Sequence, residues 1–282
     1  MNQIITKPTD ATPITPDFAA IKTKQQAAWG SGDYAQIGST LNIVGEQLAE
    51  AVNINPDERV LDVAAGNGNA TLAAARRFAR VTSTDYVESL LDKGRVRTQA
   101  EDMQVAFQQA DVEALPFPDA SYDVVVSTFG CMFAPNQVAT ASEMARVCRP
   151  GGRIAMANWT PSSFIGALFK VIGKHVPPPA GVQSPALWGT RERIEELFSG
   201  SAARIEIQTR AFNFRYRNIA HWLDLFRTYY GPTHKAFAAL PPEGQDALAA
   251  DMADLAAEHN VSQDGWMVVP SAYAEVVITK HG

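Results

Sequence analysis

Apolar and polar positions divide residues 59–158 into short apolar runs separated by longer stretches of helical periodicity. Arg59–Val63, Arg80–Thr84, Val105–Gln109, Tyr122–Ser127 and Arg153–Asn158 read as strands. The fourth, with Val124, Val125 and Val126 in succession, shows no alternation, the pattern of a strand buried on both faces. Ala70–Phe78, Val87–Gln99 and Asn136–Cys148 read as the intervening helices, and Arg149-Pro150-Gly151-Gly152 as the turn into the fifth strand. Such alternation calls for a parallel sheet with right-handed crossovers. Upstream, Leu41, Val44, Leu48 and Val52 recur at helical spacing, and that helix ends near Asn53-Ile54-Asn55-Pro56.

Beyond residue 160 the pattern changes. A helical apolar piece precedes a loop at Pro177-Pro178-Pro179-Ala180-Gly181, and Thr190 is placed to cap a helix carrying Ile194, Leu197 and Phe198 on one face. Ile205–Arg217 switches to period two, with Phe212, Phe214 and Tyr216 on one side. Ile219, Trp222, Leu223, Phe226 and Tyr230 form the stripe of a helix closed by Gly231-Pro232. Glu243–Ala257 reads as a further helix and Tyr273–Thr279 as a closing strand.

Composition narrows the class. With 46% hydrophobic and 19% charged residues, the 282-residue chain can bury a full core. No apolar run reaches the roughly 18 residues that cross a bilayer; Phe164–Gly173 comes nearest and Lys170 interrupts it. Residues 1–17 read as a disordered leader rich in Thr and Pro, without the apolar centre of a signal peptide. Cys131 and Cys148 have neither disulfide-framework nor metal-ligand spacing, so the expectation is a cytoplasmic protein without a metal. A net charge of −6 argues against nucleic acid as partner, although residues 164–235 carry a local basic surplus. That surplus suits either an anionic substrate or an ordinary solvated face.

The chemistry concentrates where the first strand breaks into Asp62-Val63-Ala64-Ala65-Gly66-Asn67-Gly68. Glycines there let backbone N–H groups approach a ligand at a helix N-terminus. A dinucleotide fingerprint would carry a third glycine, but Thr71 stands in that register and would crowd the helix against the strand. Asp62, ahead of the turn, would repel a pyrophosphate and favour a cationic amino-acid moiety. S-adenosylmethionine, with an ammonium, a sulfonium and no phosphate, satisfies that electrostatic requirement better than a dinucleotide.

These residues, with Asp85 at the second strand end, Asp111-Val112-Glu113-Ala114-Leu115-Pro116-Phe117, and the Phe117–Val125 and Arg146–Gly152 stretches, resemble the class I S-adenosylmethionine-dependent methyltransferases, in the group that includes ubiquinone/menaquinone-type and small-molecule enzymes. The resemblance covers residues 59–158 and departs from the usual pattern at Ala64, where a glycine often stands. It implies an α/β, Rossmann-like fold with a mostly parallel seven-stranded sheet, helices on both faces and a helical cap. Residues 18–282 would form one domain, with the cofactor core at 40–160 and the substrate-side cap and closing strands at 161–282.

Cofactor contacts are expected from Asp62, Ala64, Gly66, Asn67, Gly68, Asp85, Tyr86, Asp111, Val112 and Ser127. The resemblance implies that Asp85 clasps the ribose hydroxyls and Asp111 accepts from the adenine amine. Asp85 also suits a helix cap and Asp111 a plain turn, while Tyr86 either stacks on adenine or packs. An acceptor pocket is expected from Trp29, Tyr34, Met132, Phe133, Trp159, His221 and Tyr230, with Tyr229 and His234 as further candidate bases. The expected reaction is methyl transfer to a small, partly apolar acceptor by in-line displacement, a reaction that needs alignment more than a dedicated base. The alternatives are a cofactor-binding protein without catalysis, a nicotinamide oxidoreductase, and a nucleic-acid methyltransferase, which the acidic balance disfavours.

Overall fold

The computed structural model describes residues 16–282. The expected leader therefore lies outside the described residues except for Pro16 and Asp17, and Asp17 already belongs to the fold. Its side chain caps α1 (Phe18–Trp29) by accepting from the Ala20 amide at 3.0 Å. Short α2 (Ala35–Gly38) and α3 (Asn42–Ala51) lead into β1 (Arg59–Val63). Then come α4 (Asn69–Ala75), β2 (Arg80–Asp85), α5 (Glu88–Ala100), β3 (Val105–Gln109), β4 (Tyr122–Thr128), α6 (Gln137–Val147) and β5 (Cys148–Trp159). The C-terminal part runs α7 (Phe164–His175), α8 (Arg191–Phe198), β6 (Ala202–Tyr216), α9 (Ile219–Tyr229), α10 (Gly231–Ala238), α11 (Pro242–His259) and β7 (Met267–Lys280).

The seven strands form one sheet in the order β3-β2-β1-β4-β5-β7-β6. β1 to β5 pair in parallel, and β7 inserts antiparallel between β5 and β6. Strand order reverses between β1 and β4, so the carboxyl ends of those two strands open the crevice where such sheets bind ligands. Two apolar layers cover the sheet. One face is Ala-rich, with Leu48, Val52, Ala70, Ala73 and Ala74 packing on Val60, Val81, Val124 and Val126. Small side chains let α3 approach α4 closely: a Cβ on Gly45 would lie 2.7 Å from the Asn69 carbonyl oxygen. The other layer is large and aromatic, joining Leu61, Val125 and Met156 of the sheet to Trp188, Trp222 and Phe226 of the C-terminal helices.

Several sequence expectations shift. The helix expected over 70–78 stops at Ala75, because Phe78 turns into left-handed backbone (φ 60°) with its ring 78% exposed. Residues 149–152 do make a tight excursion, but it lies within β5, which already pairs with Tyr122 at Cys148 and resumes against Val124 at Arg153. Gly231-Pro232 not only ends α9 but also opens α10, where proline in the first turn forfeits no hydrogen bond. β7 is twice the expected length. Its first six residues extend beyond β5 and pair only with β6, so Pro270 sits where one edge is free of a ladder partner. No helix among the described residues is long and apolar enough to cross a membrane.

Candidate functional site

At the switch point β1 ends in a turn under two conformational demands. Gly66 (φ 57°) and Gly68 (φ 84°) take left-handed backbone, and so does Ala64 (φ 49°). The alanine in place of the family's usual glycine therefore carries about 1–2 kcal/mol of backbone strain. Phe129, just past β4, is likewise left-handed (φ 60°). Strain thus collects where the two strand ends meet. Between them the chains touch: a Cβ on Gly130 would lie 2.0 Å from the Ala64 carbonyl oxygen, so only glycine fits.

Asp85, at the end of β2, secures the turn. One carboxylate oxygen accepts from the Gly66 amide at 2.9 Å and the other from the Val87 amide at 2.9 Å. Burial pushes its carboxyl up to about 6, against those two hydrogen bonds. From outside, Arg97 of α5 donates to the Asn67 carbonyl at 2.6 Å, to Asn69 Oδ1 at 2.9 Å and to Asn42 Oδ1 at 2.7 Å. The loop geometry thus rests on α5 as well as on the glycines.

Over the turn lies a cavity with about 1060 Å³ of empty space, mouth included, at the upper end of what small-molecule sites occupy. Of the residues expected to hold a cofactor, Ala64, Gly66, Asn67, Asp85, Tyr86, Asp111 and Val112 line one end. Trp29, Tyr34, Phe133, Trp159 and Tyr230 line the other. Helix α1 closes the cavity as a lid. Lys22 pairs with Asp111 at 2.5 Å and Glu113 at 3.0 Å, Gln26 donates to the Tyr86 carbonyl and Gln25 to the Phe133 carbonyl. Burial opposes the Lys22 charge, yet the two carboxylates outweigh it and hold its pKa above the usual value. Asp111 therefore serves the lid as well as the cavity, and its other oxygen accepts from the Glu113 amide.

Five expected residues are not brought to the cavity wall. Asp62 is fully buried; its Oδ2 accepts from the Thr71 hydroxyl at 2.6 Å, and Oδ1 has no partner among the described residues. Burial pushes this carboxyl up to about 7. Thr71 thus does not crowd the helix; it solvates the Asp62 carboxylate, and its hydroxyl also lies 2.8 Å from that of Ser83. Gly68 turns towards Thr71 and Gly94 as the cap of α4. Ser127 donates to the Val63 carbonyl and accepts from the Cys131 amide, tying β4 to β1. Met132 is core, 1% exposed. His221 sits in the first turn of α9, where its Nδ1 accepts from the Arg217 amide at 3.4 Å. Tyr229 and His234 are also absent from the wall, and His234 bonds the Arg227 carbonyl instead.

Sequence reasoning missed Lys22, Ile37, Glu113, Phe214 and Phe226 as wall residues. Glu113 lay within a recognised motif, and Phe214 and Phe226 within apolar stripes whose direction only the fold reveals. Lys22 had no local signal.

A family profile described as "Methyltransferase domain" matches residues 60–152. Among curated relatives, the uncharacterised protein Rv1403c of Mycobacterium tuberculosis is 36% identical over 250 residues, covering 87% of this chain and 91% of that one. Demethylmenaquinone methyltransferase of Deinococcus radiodurans is 33% identical over 175 residues, covering 60% and 72%. Among solved structures, phosphoethanolamine N-methyltransferase 2 of Haemonchus contortus in complex with S-adenosyl-L-methionine shares the fold at TM-score 0.54 and 15% identity, over 84% of this chain and 52% of that one. Those likenesses agree with the strand order and with a glycine turn clasped by a strand-end carboxylate, and the chain belongs to the class I S-adenosylmethionine-dependent methyltransferases.

Proposed function

We propose that this enzyme methylates a small, partly apolar acceptor held in the aromatic end of the cavity, by in-line displacement. The observation carrying this reading is that one cavity runs continuously from the Gly66–Asp85 turn to Trp159, Phe214 and Tyr230. Cofactor and acceptor would therefore meet in a shared space with a single protein lid.

The residues present fit the cofactor. Asp85 keeps lone pairs for two ribose hydroxyls beyond those used by Gly66 and Val87, and nothing at Gly66 but the edge of Tyr34 stands within 4 Å of a Cβ position. Asp111 and Val112 would hold the adenine, its amine sharing the carboxylate with Lys22. Tyr86 would flank the ring. Asp62, buried beneath the turn, would favour the cofactor's positive charge through its field rather than by contact. When bound, the cofactor supplies a methyl group on a sulfonium; the acceptor's lone pair takes the methyl carbon, and the C–S bonding pair stays on a neutral sulfur.

The protein's own contribution is orientation and exclusion of water. Helix α1 covers the cavity, and Trp29 brings its ring against Tyr34, Phe133 and Tyr230 at 5.7, 5.0 and 5.4 Å. Alignment in a dry site supplies much of the rate for such a displacement. The test is a mass-spectrometric screen of acceptor classes for cofactor-dependent +CH2 products, alongside calorimetry with S-adenosylhomocysteine. Product from an apolar acceptor is expected. Turnover confined to nucleic acid or to strongly charged acceptors would overturn the reading.

A further inference from the structure

The aromatic end of the cavity holds more hydroxyls than its packing uses. Tyr34 and Tyr230 are in the wall, with ring centroids 6.2 Å apart. Neither phenol has a hydrogen-bond partner among the described residues, and burial pushes both pKa values up. Tyr216 stands behind them on β6, on the same strand face as the wall residue Phe214 and 6.4 Å from the ring of the wall residue Phe226. It is 9% exposed and its hydroxyl has no partner. Burial and the neighbouring Tyr34 both raise its pKa. A buried hydroxyl left without a partner costs about 1–3 kcal/mol. Beside it, the wall residues Tyr34 and Tyr230 present two further phenols to the cavity.

Charge sharpens the picture. All charged residues in the wall, Lys22, Asp85, Asp111 and Glu113, belong to the cofactor end, and Lys22 is already paired twice. Around Trp29, Phe133, Trp159, Phe214, Phe226 and Tyr230 no ionic side chain among the described residues offers a counter-charge. A carboxylate or ammonium entering there would lose its hydration without replacement. A flat apolar ring would meet aromatic faces, and an oxygen on it would meet hydroxyl donors.

We propose that Tyr34, Tyr216 and Tyr230 form a hydroxyl-lined subsite that selects an uncharged, flat aromatic acceptor bearing a hydroxyl or carbonyl oxygen. This rests on the reading of the aromatic end as the acceptor site. Tyr34 and Tyr230 donate to the acceptor oxygen from the wall, and Tyr216 backs them as a buried third donor. Because the phenols stay protonated well above neutral pH, the subsite offers donors rather than negative charge.

The test uses the full chain saturated with S-adenosylhomocysteine and calorimetric titration with 2-naphthol, naphthalene and 2-naphthoate. The expected order is 2-naphthol at least about fivefold tighter than naphthalene, the scale of one neutral hydrogen bond, with 2-naphthoate weakest. Tyr230→Phe and Tyr216→Phe should each reduce that preference, and adding Tyr34→Phe to the pair should abolish it, while S-adenosylhomocysteine affinity is retained. Tyr216→Phe should also unfold at the same or higher temperature, since it removes an unsatisfied buried hydroxyl. Equal binding of 2-naphthol and naphthalene, binding of none of the three, tighter binding of 2-naphthoate, or a preference that survives the triple substitution overturns the subsite. A lowered melting temperature for Tyr216→Phe overturns the role of that hydroxyl. Failure of the unsubstituted protein to bind S-adenosylhomocysteine would instead defeat the cofactor assignment on which the subsite depends.

Discussion

The two ends of the cavity are built by different means. The cofactor end comes from strand ends and turns close together in sequence: Ala64 to Asn67, Asp85 and Tyr86, and Ala110 to Glu113. Its hydrogen-bonding groups are backbone amides and carboxylates whose positions follow from β1, β2 and β3. The aromatic end is assembled from α1, the residue before α2, the segment after β4, β5, β6, and α9 with the residue that follows it, each giving one or two rings. On the proposed reading, backbone geometry builds the end that reads one fixed molecule, whereas side chains on separate elements build the end that can be re-shaped around different acceptors. The division matches the reaction, in which one partner is constant and the other defines the enzyme.

The comparison breaks if the ends are not separable. Asp85→Ala should weaken S-adenosylhomocysteine binding by roughly a hundredfold, the scale of two hydrogen bonds to a charged group, as calorimetry would measure. Trp29→Ala should do the reverse, raising the acceptor KM about tenfold while cofactor affinity stays within about threefold. Equal losses at both ends from either substitution would mean that the cavity behaves as a unit.

A smaller effect follows from pH. Burial raises Asp85 to about 6 and Asp62 to about 7, above the ordinary value of 3.8. Between these limits the native chain binds more protons than the unfolded one, so stability falls as pH rises from about 4 to 7 and levels off above. Cofactor affinity should move the other way, because ionised carboxylates suit ribose hydroxyls and positive charge. Thermal unfolding with and without S-adenosylhomocysteine from pH 5 to 8 checks both directions. Asp62→Asn should flatten the ligand-free profile, and an unchanged slope would remove Asp62 from this account.

Smallest is the lid. Lys22→Met removes the part-buried pairing to Asp111 and Glu113 but leaves the Gln25 and Gln26 hydrogen bonds. Stopped-flow displacement of bound S-adenosylhomocysteine should be about two- to fivefold faster, in keeping with the modest strength of partly exposed ion pairs. A slower release would mean that Lys22 competes with the adenine for Asp111 rather than latching the lid.

What the sequence by itself determined is local. Apolar runs of strand length, helical periodicities and turn glycines have their physical cause within a few residues, so β1 to β5, the Gly66 turn and the strand-end acids could be read directly. Asp85 was legible as the acid ending the strand after the glycine turn, although a helix cap also suited it; that it clasps the turn itself is tertiary. Asp62 was legible as important but not in its direction: whether its carboxylate meets the ligand or Thr71 depends on how α4 packs against β1. The same holds for Ser127, at the end of β4, and Met132, in the segment beyond it, which look like wall residues and are spent on the core instead.

Only the tertiary structure decided which aromatic rings converge, that Lys22 reaches Asp111 across 89 positions, and that the buried Tyr216 hydroxyl is left without a partner among the described residues. Those are long-range packing outcomes. An apolar stripe says that a helix buries one face, but the neighbour it meets is set by how seven strands order themselves in a single sheet.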